Sequence, residues 1–334
     1  MTVPVIAFFS TKGGVGKSFL AYHTAWMLSD LGYRVVAADL DPQSNLSAAC
    51  LDEARMEQLS QRGVVDVSTI YGAVVPLRSE TGDVSEPWLE TVTTNFSLIP
   101  GDISLFGFEN DLSDAWFQSR RGESRAFLLL SAFWRVLQRG ATRYGADVVL
   151  MDLAPNLGAI NRAALIAADF VVIPIGPDLF SIQGLHNLGN GLRELRQVWG
   201  ECRIHNPIAN LILPEGRMAP IGYVVMQQQS GFQNRQTRPY QNWMARIPAA
   251  YRQTVLDESQ ATEICLKDDE NCLAVLKYYR SLLPMAQEAG KPVFALKPAD
   301  GALGATLAAV RDAYHDIKQL SLKIAERAGL QRRP

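Results

Sequence analysis

Residues 12–18 have the sequence KGGVGKS, which contains the residue types that bind a nucleotide phosphate. Glycines let the backbone approach a phosphate closely and adopt positive φ angles, so that several N–H groups converge on it. Lys17 would reach the β- and γ-phosphates, and the Ser18 hydroxyl would ligate Mg²⁺. We therefore expect ATP and Mg²⁺ to bind at Gly13, Gly14, Val15, Gly16, Lys17, Ser18 and Phe19.

This phosphate loop departs from the common GxxxxGK[ST] pattern, because Thr11 stands where the first glycine is expected. Lys12 is an additional lysine that the pattern does not require. The alternative is a glycine-rich turn that binds nothing. Against it, the loop follows an apolar β-rich run and precedes a helical pattern, which is the context that such a site needs.

Acidic residues follow two other apolar runs. Asp39 and Asp41 lie at the end of the run over residues 33–39, and Asp152 follows residues 148–151. In an open α/β sheet, ligands bind beyond the carboxyl ends of the strands, so these acids should face the phosphate loop. Asp152 is predicted to hold Mg²⁺ and Asp41 to orient the attacking water. Asp39 either supports the magnesium shell or caps the next segment.

Predicted strands and helices alternate along the chain. Strands are expected over residues 3–10, 33–39, 96–100, 147–151, 170–175, 220–226 and 291–296, and helices over 18–31, 158–168, 184–199 and 304–328. Apolar runs without polar alternation are typical of strands buried on both faces of a parallel sheet. The pattern predicts an α/β fold with a doubly wound, mostly parallel sheet and helices on both faces. We expect one domain over residues 1–334, elaborated at about 51–95 and 227–284.

The composition excludes several other classes of protein. The chain has 334 residues, is 48% hydrophobic and carries a formal net charge of −2, which argues against disorder and against a global attraction to polyanions. Residues 1–9 lack a basic leader, and no apolar stretch is long enough to cross a bilayer. The four cysteines form no CxxC pair, so we expect a reducing, cytoplasmic setting without structural zinc. The histidines are scattered and suggest no metal or catalytic cluster.

The chain resembles the ParA/MinD-type ATPases, which carry a deviant Walker A motif, and most closely their partitioning branch. The similarity lies in KGGVGKS at 12–18, DLDPQSN at 39–45 and residues 148–169 and 171–185, with weaker matches at 222–226 and 290–296. The resemblance implies that Lys12 crosses a dimer interface to the partner's nucleotide, so that two subunits sandwich two ATP molecules. It also implies that Asp41 supports hydrolysis and that Asp152 serves magnesium.

Residues 227–284 match this family poorly. Gln227 and the two glutamines after it fall where relatives contact the adenine, although a polar run after a strand is also typical of a loop. Partitioning relatives bind DNA non-specifically through scattered basic residues. If this chain does the same, its affinity for DNA would fall steeply as the salt concentration rises. The candidate DNA-binding residues are Arg235, Arg238, Arg246 and Arg252. The alternative for each of them is an ordinary solvated arginine.

MinD-like relatives use a C-terminal amphipathic helix on membranes, and the terminal helix here does carry an apolar stripe. We favour core packing for this stripe and do not expect membrane binding, because a membrane helix would carry more basic residues and exposed aromatic side chains. The stripe consists of Leu307, Val310, Tyr314, Ile317, Leu320 and Ile324.

The leading functional prediction is an ATP-hydrolysing dimerisation switch that positions DNA or another large cargo. An adaptor of the ParB type would stimulate its slow hydrolysis, and nucleoid association would follow if it binds DNA. The first alternative is a nucleotide-dependent scaffold for a secretion, pilus or defence system, with little hydrolysis. The second is a metabolic or redox enzyme on the same fold, which the lack of cluster-bridging cysteines disfavours.

Overall fold

The computed structural model describes residues 2–61, 68–79, 82–227, 238–259, 264–277, 279 and 281–332. Within these residues eight strands form one sheet, in the order β3-β4-β2-β5-β1-β6-β7-β8. Neighbouring strands are parallel except for the antiparallel pair β3–β4. The strands are β1 Val5–Phe8, β2 Val35–Asp39, β3 Glu90–Thr93, β4 Phe96–Ile99, β5 Val148–Asp152, β6 Phe170–Ile175, β7 Ala219–Met226 and β8 Cys272–Leu276.

Helices pack on both faces of this sheet, which confirms the predicted fold class. They are α1 Lys17–Asp30, α2 Asn45–Cys50, α3 Glu53–Gln61, α4 Ile70–Val74, α5 Glu109–Ser119, α6 Ser124–Leu130, α7 Ala132–Tyr144, α8 Ala159–Ile166, α9 Leu179–Ile204, α10 Arg238–Thr254, α11 Leu283–Ala289 and α12 Ala305–Arg327. Short 3₁₀ segments occur at Val75–Arg78, Ile103–Phe108, Val293–Ala295 and Pro298–Asp300.

The two faces of the sheet bury two separate apolar clusters. Alternate residues of β1 show the division: Val5 and Ala7 pack with α5 to α9, whereas Ile6 and Phe8 pack with α1 and α12. Successive side chains of a strand point to opposite faces, so a strand in the middle of the sheet must be apolar throughout. Its neighbours β5 and β6 bury it on both edges, and the phosphate loop therefore starts from a rigid base.

Most predicted elements are present near their predicted bounds, and three differences stand out. The helix predicted over residues 184–199 is longer at both ends and spans Leu179–Ile204, with Asp178 capping its first turn. The strand predicted over residues 291–296 is wrong, since Val293–Ala295 forms a 3₁₀ segment. Pro292 has no N–H to offer a sheet, and the Val293 N–H donates to His23 in α1 instead of to a strand. The last strand is β8, which the sequence did not predict and which lies inside the elaborated region 227–284.

The terminal helix α12 packs in the core, as predicted. Val310, Ile317, Leu320 and Ile324 are buried against the α1 face of the sheet, whereas Tyr314 at the rim is exposed. Across the residues that the structure describes, no helix combines the length and the apolar character needed to cross a bilayer.

Candidate nucleotide-binding site

The phosphate loop connects β1 to α1 at the carboxyl edge of the sheet. Gly14 and Gly16 adopt left-handed conformations, with φ of 71° and 91°, which only glycine enters without strain. Gly16 also caps α1, so the free N–H groups of the first helical turn, which begins at Lys17, face the space above the loop. A left-handed residue directly before a helix start creates the anion-binding concavity that a phosphate requires.

Gly16 also lies close to the end of a flexible side chain on β7. A Cβ atom at this position would lie 2.9 Å from the methyl carbon of Met226. A Cβ at Gly13 would lie 3.7 Å from Pro155, an ordinary contact. The end of β7 and the segment after β5 therefore both lie beside the loop.

The two lysines of the loop point to different sides of β1. Lys17 is 7% exposed. Burial lowers the pKa of Lys17, although the charges of Asp152 and Asp41 act in the opposite direction. The Lys12 ammonium instead donates to Asp178, after β6, with a distance of 2.6 Å between Nζ and Oδ2. Since β1 lies between β5 and β6, one lysine faces the acids and the other faces away from them.

The predicted acids do converge at the loop. Asp39 and Asp152 are paired residues at the ends of the adjacent parallel strands β2 and β5, and Asp152 also pairs with Phe8 of β1. Asp39 and Asp152 are fully buried, and Asp41 is 5% exposed. One Asp41 oxygen accepts the N–H of Gln43, which anchors the turn after β2.

Asp39 is held by partners that the sequence did not reveal. Its Oδ2 accepts the backbone N–H and the hydroxyl of Ser47 in α2, both at 2.8 Å, and the N–H of Gly101 donates to the same hydroxyl. A Cβ at Gly101 would lie 2.9 Å from the Asp39 carboxyl carbon, so only glycine fits there. Burial, with the charge of Asp41, raises the pKa of Asp39 to about 7 despite the hydrogen bonds from Ser47. These contacts match the alternative in which Asp39 fixes the following segment.

Asp152 is also buried, but it differs from Asp39 in its hydrogen bonding. Neither carboxylate oxygen has a hydrogen-bond partner among the described residues. Burial and the charge of Asp39 raise its pKa well above the usual range, and the Ser18 hydroxyl and Lys17 ammonium do not outweigh them. An unpartnered buried carboxylate is costly, and a divalent cation would relieve that cost. The residues therefore fit Mg²⁺, which Asp152 and Ser18 would hold.

Such an ion would need oxygen ligands from outside the protein as well. No group of three or more His, Cys, Asp or Glu side chains in the described part of the chain is placed to hold a metal. Mg²⁺ commonly binds through one or two protein side chains, several waters and substrate phosphates. The site thus fits a metal that arrives with a nucleotide.

The segment after Asp152 is held by residues from two helices. Asn161 of α8 donates to the backbone oxygens of Ala154 and Asn156, both at 2.8 Å. Glu109 of α5 accepts the N–H groups of Ala159 and Ile160 at the start of α8. No local sequence signal indicates Glu109, because the two helices are about 50 residues apart in the chain. By contrast, Asp178 directly before the apolar residues Leu179 and Phe180 is an N-cap pattern that could have been found.

The remaining predicted site residues lie at the margins of the described structure. Gln227 is half-buried at the end of β7, and its N–H donates to Leu276 of β8. Its predicted contact with adenine stays a prediction, and the next two glutamines lie outside the described residues. So do Arg235 and the side chain of Arg238.

The two arginines of α10 whose side chains are described have different surroundings. Arg246 is exposed, with its guanidinium 4.9 Å from the ring centre of Trp243. Arg252 is 13% exposed and pairs with Asp269 at 2.9 Å and with Glu258 at 3.4 Å. Its charge is already neutralised within the chain, which favours a structural role for Arg252.

A phosphate loop after the central strand, with acids at the ends of the adjacent strands, defines a P-loop nucleotide-binding protein. The AAA domain family model matches residues 3–202. The chromosome partitioning protein ParA of Caulobacter vibrioides is 28% identical over 209 residues, covering 63% of this chain and 68% of that protein. The chain belongs to the ParA/MinD-type family, near its partitioning branch.

Solved structures show the same fold at low sequence identity. Protein DIP2308 from Corynebacterium diphtheriae is 20% identical with a TM-score of 0.71, and the match covers 97% of this chain and 98% of that one. A plasmid partition protein of Borrelia burgdorferi, bound to AMPPNP, is 20% identical with a TM-score of 0.60, covering 98% and 100%. For the first curated relatives, the matched region spans about half to two thirds of their own length.

Proposed function

We propose that this chain is an ATPase that dimerises when it binds ATP and separates after hydrolysis. One observation carries the proposal: the loop holds two lysines, and only Lys17 faces the acids of its own site. The Lys12 ammonium lies on the other side of β1, at the rim, with a side chain 28% exposed. A cation placed there is available to the γ-phosphate of a second copy, where a concentrated negative charge would attract it.

The chemistry of the site follows from the roles that its residues can fill. The loop N–H groups and Lys17 bind the β- and γ-phosphates, and Asp152 and Ser18 are the residues that would hold Mg²⁺. Mg²⁺ would neutralise charge that develops on the phosphate oxygens. Asp41 is the acid available to orient the attacking water, because Asp39 is occupied by Ser47. Among the residues that the structure describes, no arginine is placed as an arginine finger, so we expect slow turnover that a partner protein accelerates.

The oligomeric state with each nucleotide tests this proposal. Light scattering after gel filtration should show a monomer with ADP and a dimer with Mg²⁺ and AMPPNP. Lys12→Ala should remain monomeric while it still binds a fluorescent ATP analogue, and Lys17→Ala should lose binding. Lys323→Ala, at an exposed lysine near the end of α12, is the matched control. Dimerisation of Lys12→Ala at the wild-type level would contradict the proposal.

Hydrolysis is tested separately from dimerisation. Asp41→Asn should keep the AMPPNP dimer but lose roughly 100-fold or more in turnover, since it removes the residue proposed to orient the water. A phosphate-release assay measures this. If the variant hydrolyses ATP at the wild-type rate, another group orients the water.

Non-specific DNA binding is the second part of the proposal, and it rests on the exposed Arg246 beside Trp243. With AMPPNP present, anisotropy of a labelled duplex should show binding that falls steeply between about 50 and 200 mM salt. Arg246→Ala should weaken binding and reduce the salt slope by about one. Arg311→Ala, at an exposed position of α12 on the other face of the sheet, should do neither. Equal effects of both variants would exclude a DNA surface on α10.

A further inference from the structure

We propose that Asp178 is a positioning residue for Lys12, which it holds within its own chain until two ATP-bound copies meet. This inference rests on the proposed ATP-dependent dimer and names the residue that opposes it. In the single chain, the Lys12 ammonium is bound by the Asp178 carboxylate at 2.6 Å. No other carboxylate among the described residues lies within ion-pairing distance of it.

The Asp178 carboxylate is fixed before Lys12 binds to it. As the N-cap of α9, it accepts the Ser181 N–H at Oδ1 and the Ser181 hydroxyl at Oδ2, both at 3.0 Å. The N–H of Gly176 donates to the same hydroxyl, and a Cβ at Gly176 would lie 2.7 Å from Asp178 Oδ2. A carboxylate held on several sides forms an ion pair without losing further side-chain entropy, which distinguishes this pair from a flexible surface pair.

Asp178 is also kept in its charged form. Burial alone would raise its pKa, but the hydrogen bonds from Lys12 and Ser181 outweigh it and hold the pKa of Asp178 below its usual range. Each Lys12 must therefore leave a charged partner before it can reach a second copy. Because a symmetric dimer uses two such lysines, this cost enters the association constant twice.

The consequence is that Asp178 sets how much ATP is needed for dimerisation. An ion pair whose side chains are 28% and 32% exposed is worth up to about 1 kcal/mol, or roughly two- to fivefold in an equilibrium constant. Its removal on both subunits should favour the dimer roughly four- to 25-fold. ADP lacks the γ-phosphate that would replace Asp178 as the partner of Lys12, so in the ADP form the two ion pairs oppose dimerisation by this factor without compensation.

The test is Asp178→Asn, which removes the charge but keeps an N-cap side chain that can accept from Ser181. Asp102→Asn is the matched control, because Asp102 also caps a helical segment and accepts from Ser104 and Thr69. Sedimentation at a series of AMPPNP concentrations should show tighter dimerisation for Asp178→Asn by the factor above and no change for Asp102→Asn. Unchanged or weaker dimerisation of Asp178→Asn would overturn the inference.

A second measurement needs no dimer. In the nucleotide-free monomer, acylation of Lys12 by a succinimidyl ester should be several-fold faster in Asp178→Asn, with Lys267 in the same digest as the reference. Equal labelling of Lys12 in both proteins would show that Asp178 does not hold it and would overturn the inference. A wild-type chain that stays monomeric with AMPPNP would instead overturn the proposed function itself.

Discussion

At the scale of single residues, the site is built from groups that are poorly satisfied until a ligand arrives. Asp152 is buried without a hydrogen-bond partner among the described residues, and burial lowers the pKa of Lys17 beside it. By contrast, Asp39 and Asp178 each have several donors. We infer that Asp39 and Asp178 stabilise the shape of the site, whereas Asp152 is available to bind a cation.

Gly16 provides the first residue-scale prediction. Gly16→Ala places a Cβ at φ of 91° and 2.9 Å from Met226, so it should destabilise the nucleotide-free chain by about 1–2 kcal/mol or more. Urea unfolding measures the change. Gly13→Ala is the matched control, because its Cβ makes only an ordinary contact with Pro155, and it should shift stability by less than about 0.5 kcal/mol. Similar losses in both variants would show that the loop is less constrained than its geometry indicates.

Ser47 provides the second residue-scale prediction. Ser47→Ala removes the hydroxyl that donates to Asp39 and accepts from Gly101, leaving the N–H of Gly101 buried without a partner. The expected loss of stability is about 1–3 kcal/mol, measured by urea unfolding. Ser104→Ala, in the 3₁₀ segment Ile103–Phe108, should change little and serves as the control, because Ser104 binds Asp102 through its backbone N–H and not through its hydroxyl. A neutral Ser47→Ala would mean that Asp39 is not fixed by α2.

At the scale of elements, α8 links the nucleotide site to α5. Its first two N–H groups bind Glu109, and Arg162 in its middle lies 4.6 Å from the ring centre of Trp116 in α5. Both contacts hold the helix that follows the Asp152 segment. A shift of that segment on binding a γ-phosphate would therefore move α5 as well.

Removal of the Glu109 carboxylate tests this link. In Glu109→Ala the N–H groups of Ala159 and Ile160 lose their acceptor, and α8 should open about 10-fold more often, since the loss of a cap costs about 1 kcal/mol or more. Hydrogen exchange of peptides covering residues 153–166 measures the opening. Glu109→Gln retains one acceptor oxygen and should show a smaller effect. Unchanged exchange in Glu109→Ala would place the anchor of α8 elsewhere.

The sequence predicts elements well where the signal is local. The phosphate loop lies within seven consecutive residues, and Asp152 directly follows an apolar run, so both could be placed without tertiary information. The run at residues 291–296 is also apolar, but Val293 and Phe294 are buried against α1 and α12 instead of in the sheet. An apolar run predicts burial, but burial alone does not distinguish a strand of the sheet from a segment that packs against helices. Glu109 and Ser47 were missed because their roles depend on partners far away in the chain or across a turn.

At the scale of the whole molecule, His23 connects the first helix to the C-terminal part of the chain. Its ring is 3% exposed, and it lies between the backbone oxygen of Phe19, 2.7 Å from Nδ1, and the N–H of Val293, 3.1 Å from Nε2. Since Val293 must donate to Nε2, the proton lies on Nδ1 and the ring is neutral. Protonation would break the contact between α1 and the 3₁₀ segment that supports α12.

The pH dependence of stability follows from this contact. Burial lowers the pKa of His23 to about 4, below the value near 6.5 in an unfolded chain. The unfolded state thus binds the proton first, so the contribution of a neutral His23 is complete above about pH 6.5 and is lost as the pH falls towards 4. Between pH 8 and pH 5 the wild type should lose about 2 kcal/mol more than His23→Gln in urea unfolding. His315→Gln, at an exposed histidine of α12, should follow the wild type, and equal pH slopes for wild type and His23→Gln would mean that His23 does not set this dependence.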